Sequence, residues 1–183
     1  MATNITVMNR KKFIQSICIS GVCACGLKSV NLAGENVTEE SESPLISHWL
    51  SSLLAELDTK IPRAEVRELI KKNSNIHYNQ LNMDQVLSNY EGNLPEFIDF
   101  IEKKWGWIIH YKESSNELIA DENKSYCVCP MMDKKMKLPS LICYCSEGFA
   151  EKMFSKVIGK NVKAIVTKSI LRGDSSCIYK ITW

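Results

Sequence analysis

The chain carries eight cysteines among 183 residues, and five of them fall in the last third. Cys127-Val128-Cys129-Pro130 is followed by Cys143-Tyr144-Cys145, with thirteen residues between the two pairs, and Cys177 lies near the C-terminus. Two thiolate pairs joined by a short loop can place four sulfurs around one tetrahedral metal. Zinc is the expected ion for a sulfur-rich set with no evident redox role. Lys134, Lys135 and Lys137 sit between the pairs and would offset part of the thiolate charge. The one-residue gap within each pair is shorter than the usual zinc spacing. On a straight strand it sends the two sulfurs to opposite faces, so a shared ion requires the backbone to turn, as Pro130 allows. Three chemistries remain open: a structural metal on Cys127, Cys129, Cys143 and Cys145 with Cys177 as a substitute, disulfides in an exported chain, or buried or reactive thiols.

The three histidines are His48, His77 and His110. His110 adjoins Trp107 and Tyr111 in an aromatic segment, where it would serve a pocket as base or ligand or stand half exposed. His48 and His77 are expected at the surface, His77 in a polar linker. No histidine is placed beside a cysteine by the sequence, so no catalytic residue is assigned; a small thiol-dependent hydrolase or redox enzyme stays as the rival to a binding domain. Glu147, near a helix start, is expected to favour the helix dipole. Met131, Met132 and Met136 form a soft-ligand group for copper(I) or, with the interleaved lysines, a loop.

These residues need elements to hold them. Ser43-Pro44 starts a helix to about Asp58, with Leu45, Trp49, Leu53, Leu54 and Leu57 at helical spacing. A second helix follows Pro62 and ends near Asn73, a short one spans 83–90, and a fourth spans 94–105. The pattern then changes to strands: 107–111, 117–121, and a third over 126–129 stopped by Pro130. Residues 146–158 form a helix ended by Gly159, and 162–170 and 177–183 form a closing antiparallel hairpin. Helices first, then strands with one long helix among them, make an α+β domain: N-terminal helices on an antiparallel sheet, with the long helix before the C-terminal hairpin. That helix and the strands around Trp107 and Val166 would enclose a pocket for a small apolar or aromatic molecule, lined by Trp107, His110, Tyr111, Phe149 and Val166.

The N-terminus has the layout of an address. Arg10, Lys11 and Lys12 precede an apolar stretch from Phe13 to Leu27, as in a bacterial signal segment, and Val22-Cys23-Ala24-Cys25 is close to a lipoprotein cleavage box. Residues 1–28 are read as this segment, 29–43 as a flexible tether, and 44–183 as the folded domain. The chain is then exported or membrane-anchored through its N-terminus, on the periplasmic side or the surface. The alternative is an amphipathic first helix of a cytoplasmic domain. The formal charge of +2, from 23 basic and 21 acidic residues, gives no footprint for nucleic acid.

The run Cys143-Tyr144-Cys145-Ser146-Glu147-Gly148-Phe149, continued by Gly159-Lys160-Asn161-Val162 and Arg172-Gly173-Asp174-Ser175-Ser176-Cys177, resembles the end of the 4-vinyl-reductase-type small-ligand-binding domain. The resemblance covers residues 143–181, and Trp105 to Pro130 fits more loosely. It implies an α+β fold similar to vesicle-tethering subunits, often dimeric, so that a homodimer is expected. It also implies a sensory or binding role toward small apolar molecules. Sensory members hold zinc with three cysteines and one glutamate. Cys143 and Cys177 stand at two of those positions, whereas Val166 occupies the glutamate position and Ser169 the middle cysteine position. A zinc site here would therefore be rebuilt with Cys127, Cys129 and Cys145. A weaker similarity to thiazoline-carboxylate hydrolase-like proteins rests on Cys129-Pro130 and the Cys143–Cys145 pair.

Overall fold

Pro44 opens the first helix, α1 (Pro44–Lys60), in a computed structural model that describes residues 44–131 and 139–183. The expected leader, the tether and the segment with Met132, Lys134, Lys135, Met136 and Lys137 lie outside the described residues. Of the α1 apolar series, Leu54 is buried, while Leu45, Trp49 and Leu53 are exposed. α2 (Arg63–Gln80) follows Pro62 and runs past the end expected at Asn73. The polar run Asn73-Ser74-Asn75 does not break it. Each side chain bonds back to the same helix: Asn73 to the Leu69 carbonyl, Ser74 to Lys71 and Asn75 to Lys72. Buried Tyr78 then anchors the extra turns in the core.

α3 (Met83–Leu87) continues as a 3₁₀ turn to Tyr90. α4 (Leu94–Trp105) is capped by Asn93, whose side chain accepts the Glu96 N–H at 3.2 Å, and ends at Gly106 with φ 71°. Its buried face, Leu94, Phe97 and Ile101, has helical spacing.

Four strands follow: β1 (Ile108–Lys112), β2 (Glu117–Asp121), β3 (Lys163–Lys168) and β4 (Ile178–Thr182). They form one antiparallel sheet in the order β1-β2-β4-β3. The strand expected over 126–129 is not formed. β1 and β4 occupy both edges of β2, and Asn123, with φ 53° and its N–H on Asp121 Oδ1 at 2.8 Å, turns the chain out of the sheet. α5 (Cys143–Ile158) begins three residues earlier than expected, after a 3₁₀ turn at Ser140–Ile142.

The architecture is α+β, with the long helix α5 before the closing hairpin, as expected. The N-terminal helices reach the sheet mainly through α5, which packs on β3 with one face and on α2 with the other. Gly148 makes the α2–α5 approach possible: a Cβ there would lie 2.3 Å from the Lys71 carbonyl oxygen and 2.6 Å from Ser74 Oγ. Phe97, Met153, Phe154, Leu118 and Ile181 fill the core between helices and sheet. No helix among the described residues is long and apolar enough to cross a membrane.

Candidate functional site

A cavity of about 490 Å³ opens between the start of α5, the end of α4, the inner face of the sheet and the 122–131 segment. Its apolar wall includes Trp105, Trp107, Phe149, Met153, Val166 and Leu171. The wall is aromatic for a local reason. Gly106 ends α4 in the left-handed region, so Trp105 and Trp107 flank a sharp turn with their rings 5.5 Å apart. Trp107 then stacks on Tyr179 of β4 at 5.8 Å and 5°.

All five cysteines of the folded region border this cavity: Cys127 and Cys129 on the irregular segment, Cys143 and Cys145 on the first turn of α5, and Cys177 before β4. They are free thiols. They border one cavity without closing on one point: among the described residues, no three His, Cys, Asp or Glu side chains are grouped to hold a metal ion.

Burial governs these thiols. It pushes Cys145 up to about 11. Burial pushes Cys129 up to about 12, with the Met131 amide pulling the other way and the neighbouring thiols adding to the rise. Cys177 is pushed up to about 11 by burial, opposed by the Ile170 amide. Cys143 is raised by burial, opposed by Ser169, whose hydroxyl lies 3.1 Å from its sulfur. Thiols raised in this way are neutral at pH 7, the reverse of an activated nucleophile.

Of the pocket residues expected from sequence, Trp107, Phe149 and Val166 lie on the cavity wall. His110 and Tyr111 do not border it; both are exposed on β1, and Tyr111 stacks on Trp183 at 5.8 Å. His77, expected on a polar linker at the surface, is instead in α2. It borders the cavity and lies 4.8 Å from the Phe149 ring, and burial lowers its pKa. Ser169, fully buried, borders it too, so all four positions carried over from the resemblance (Cys143, Val166, Ser169, Cys177) meet here.

Sequence reasoning missed Glu122. It is 6% exposed, borders the cavity, and accepts the Tyr179 hydroxyl at 2.5 Å on Oε1. Its other oxygen, Oε2, is buried with no hydrogen-bond partner among the described residues. Burial raises its pKa, while Tyr179 and Cys177 favour the charged form. The signal was the alternation of β2: Leu118 and Ala120 face the core, and the same period carries Glu122 inward.

A larger depression, about 1280 Å³, runs along α2, α5 and the outer edge of β3. It is an open trough bordered by charged side chains, among them the Lys71–Glu151 ion pair (2.6 Å), with Glu151 also accepting the Ala164 N–H at 3.1 Å. The enclosed apolar cavity is the better ligand site.

No curated protein matches the chain. Among solved structures, a trafficking protein particle complex subunit 3 from Naegleria fowleri, covalently bound to palmitic acid, is similar at 15% identity and a TM-score of 0.49, covering 75% of this chain and 92% of that one. A family model matches residues 11–183, and the chain belongs to the family it describes, the Family of unknown function (DUF6144).

Proposed function

We propose that the domain binds a small apolar or aromatic molecule in the cavity at the start of α5. The observation that carries this reading is the cavity itself: about 490 Å³, walled by aromatic and aliphatic side chains and bordered by five free cysteines. That size lies within the roughly 300–1,000 Å³ range of small-molecule sites. The rival reading, a thiol-dependent hydrolase, needs a thiol favouring its charged form, and burial works against that at Cys129, Cys143, Cys145 and Cys177.

The test is thermal stability and tryptophan fluorescence of residues 44–183 with 2-ethylnaphthalene as the probe. Trp105 and Trp107 report directly from the wall. A ligand at about 100 times its Kd stabilises the folded state by about 2.7 kcal/mol. Val166→Phe, which fills the space, should abolish the shift while leaving the unliganded fold intact. An absence of any shift or quenching in the wild type would sink the reading.

Zinc is the second reading, favoured by the five cysteines that border one cavity. Those sulfurs are not gathered into a coordination set, and no chemistry is assigned to an ion. About one zinc per chain by plasma mass spectrometry, lost in both Cys127→Ser and Cys143→Ser, would support it. Metal-free protein with five reactive thiols after unfolding would exclude it.

A further inference from the structure

Among the described residues, one buried carboxyl oxygen bordering the apolar cavity makes no hydrogen bond, although the weak Cys177 thiol donor acts on its carboxyl. Glu122 is 94% buried, as its 6% exposure gives, and its Oε2 has no hydrogen-bond partner. Buried carboxyl oxygens are paired almost without exception, because an unmet one loses its hydration with nothing in return. The other oxygen is fixed by the Tyr179 hydroxyl at 2.5 Å, so the carboxyl cannot rotate to share a partner without losing that bond. Tyr179 is itself held by the Trp107 stack. The carboxyl is therefore a pre-positioned polar point beside an aromatic wall.

We propose that Glu122 is the polar anchor of this cavity and that its ligand is an apolar body bearing one hydroxyl group. This rests on the small-molecule reading above and adds the recognition element to it. A hydroxyl both donates and accepts, so it pairs with Oε2 whichever protonation state the carboxyl holds. An anionic ligand would meet like charge at Glu122. A cationic one would compete with Lys124, which also borders the cavity and already favours the charged carboxyl.

The test compares two probes of nearly the same shape, 2-naphthalenemethanol and 2-ethylnaphthalene, by fluorescence titration of the wild type. The alcohol is expected to bind about tenfold tighter, the worth of one well-made hydrogen bond to a buried partner. Glu122→Leu, which also frees the Tyr179 hydroxyl, should remove that preference, read as the ratio of the two probe affinities within the variant. Glu122→Gln, which keeps a hydrogen-bonding group, should retain several-fold preference. Equal wild-type affinities for the two probes would overturn the anchor while leaving the apolar cavity standing, and would mean that water answers Oε2. A preference that survives in Glu122→Leu would also overturn it. Binding of neither probe would overturn the small-molecule reading and the anchor together.

Discussion

Arg67 and Glu147, eighty residues apart in sequence, meet at 2.7 Å between α2 and α5. Glu147 is 1% exposed and uses its other oxygen to accept the Val166 N–H of β3 at 2.9 Å. One turn further along, Lys71 and Glu151 repeat the arrangement on Ala164. β3 is an edge strand, and its outward N–H groups are thus answered by two carboxylates of the covering helix rather than by water or another chain. Each carboxylate is balanced in turn by a cation on α2.

Glu147→Ala is therefore expected to destabilise the domain by about 3 kcal/mol, because it leaves a buried N–H and a partly buried guanidinium unpaired. Arg67→Ala should cost less, since Arg67 is a third exposed. Urea denaturation of the two single variants and the double should show coupling of about 1 kcal/mol or more. Additive effects would mean that the ion pair and the edge bond act independently.

Gly148→Ala tests the helix contact. A methyl group would meet the Lys71 carbonyl oxygen at 2.3 Å, and backbone cannot swing aside as a side-chain tip can. The helices must separate, at a loss of at least about 2 kcal/mol, even though alanine is the better helix former. A urea midpoint equal to or above the wild type would show that α2 and α5 are looser than described.

Strong periodicity made most of the fold legible from sequence. α4, with its asparagine cap, Pro95 and terminal glycine, and β2 were read to the residue. The misreadings were of tertiary origin. α2 outlasts its polar run because Ser74 packs against Gly148, a contact that no local signal carries. Residues 126–129 have strand-like composition, but β2 is already flanked by β1 and β4, and the turn at Asn123 takes the chain out of the sheet. Glu147 was read as a dipole partner, whereas the structure uses it as an edge clamp across a gap of nineteen residues. At the cavity, sequence gathered the five cysteines and three of its apolar wall residues. It placed both His110 and Tyr111 at the cavity, although consecutive strand residues point to opposite faces, and both are exposed on the edge strand β1.

The thiols predict alkaline sensitivity in the reduced, metal-free protein. Cys145 and Cys177 sit at about 11 and Cys129 at about 12 in the folded state, against 9.0 for an ordinary thiol. The unfolded chain therefore releases these protons first. The stability they protect is complete below about pH 9 and falls as pH rises toward the folded values. Urea midpoints between pH 8 and pH 11 should decline, and Cys129→Ala should decline less steeply. Alkylation at pH 7.5 should be slow until the protein is unfolded. Rapid modification of Cys129 in the folded state at that pH would refute the neutral-thiol description.

Tyr179 and Glu122 make the last case. Burial raises Glu122 above its ordinary 4.5, and the Tyr179 hydroxyl works against that rise by favouring the carboxylate. A raised carboxyl stabilises the fold below its unfolded pKa and loses that contribution as pH climbs through the folded value. Tyr179→Phe removes the larger of the two bonds that offset the loss, the other coming from Cys177, so it should cost about 2 kcal/mol near pH 7 and clearly less at pH 4. Glu122→Leu should show the opposite trend, faring better relative to the wild type at pH 7 than at pH 4. In the double variant the two losses should not add, because the phenylalanine ring then faces an apolar neighbour instead of an abandoned carboxyl. Calorimetric melting of the four proteins at both pH values checks this directly. A Tyr179→Phe cost that does not vary with pH would mean that the hydroxyl serves packing alone and that Glu122 is neutral throughout.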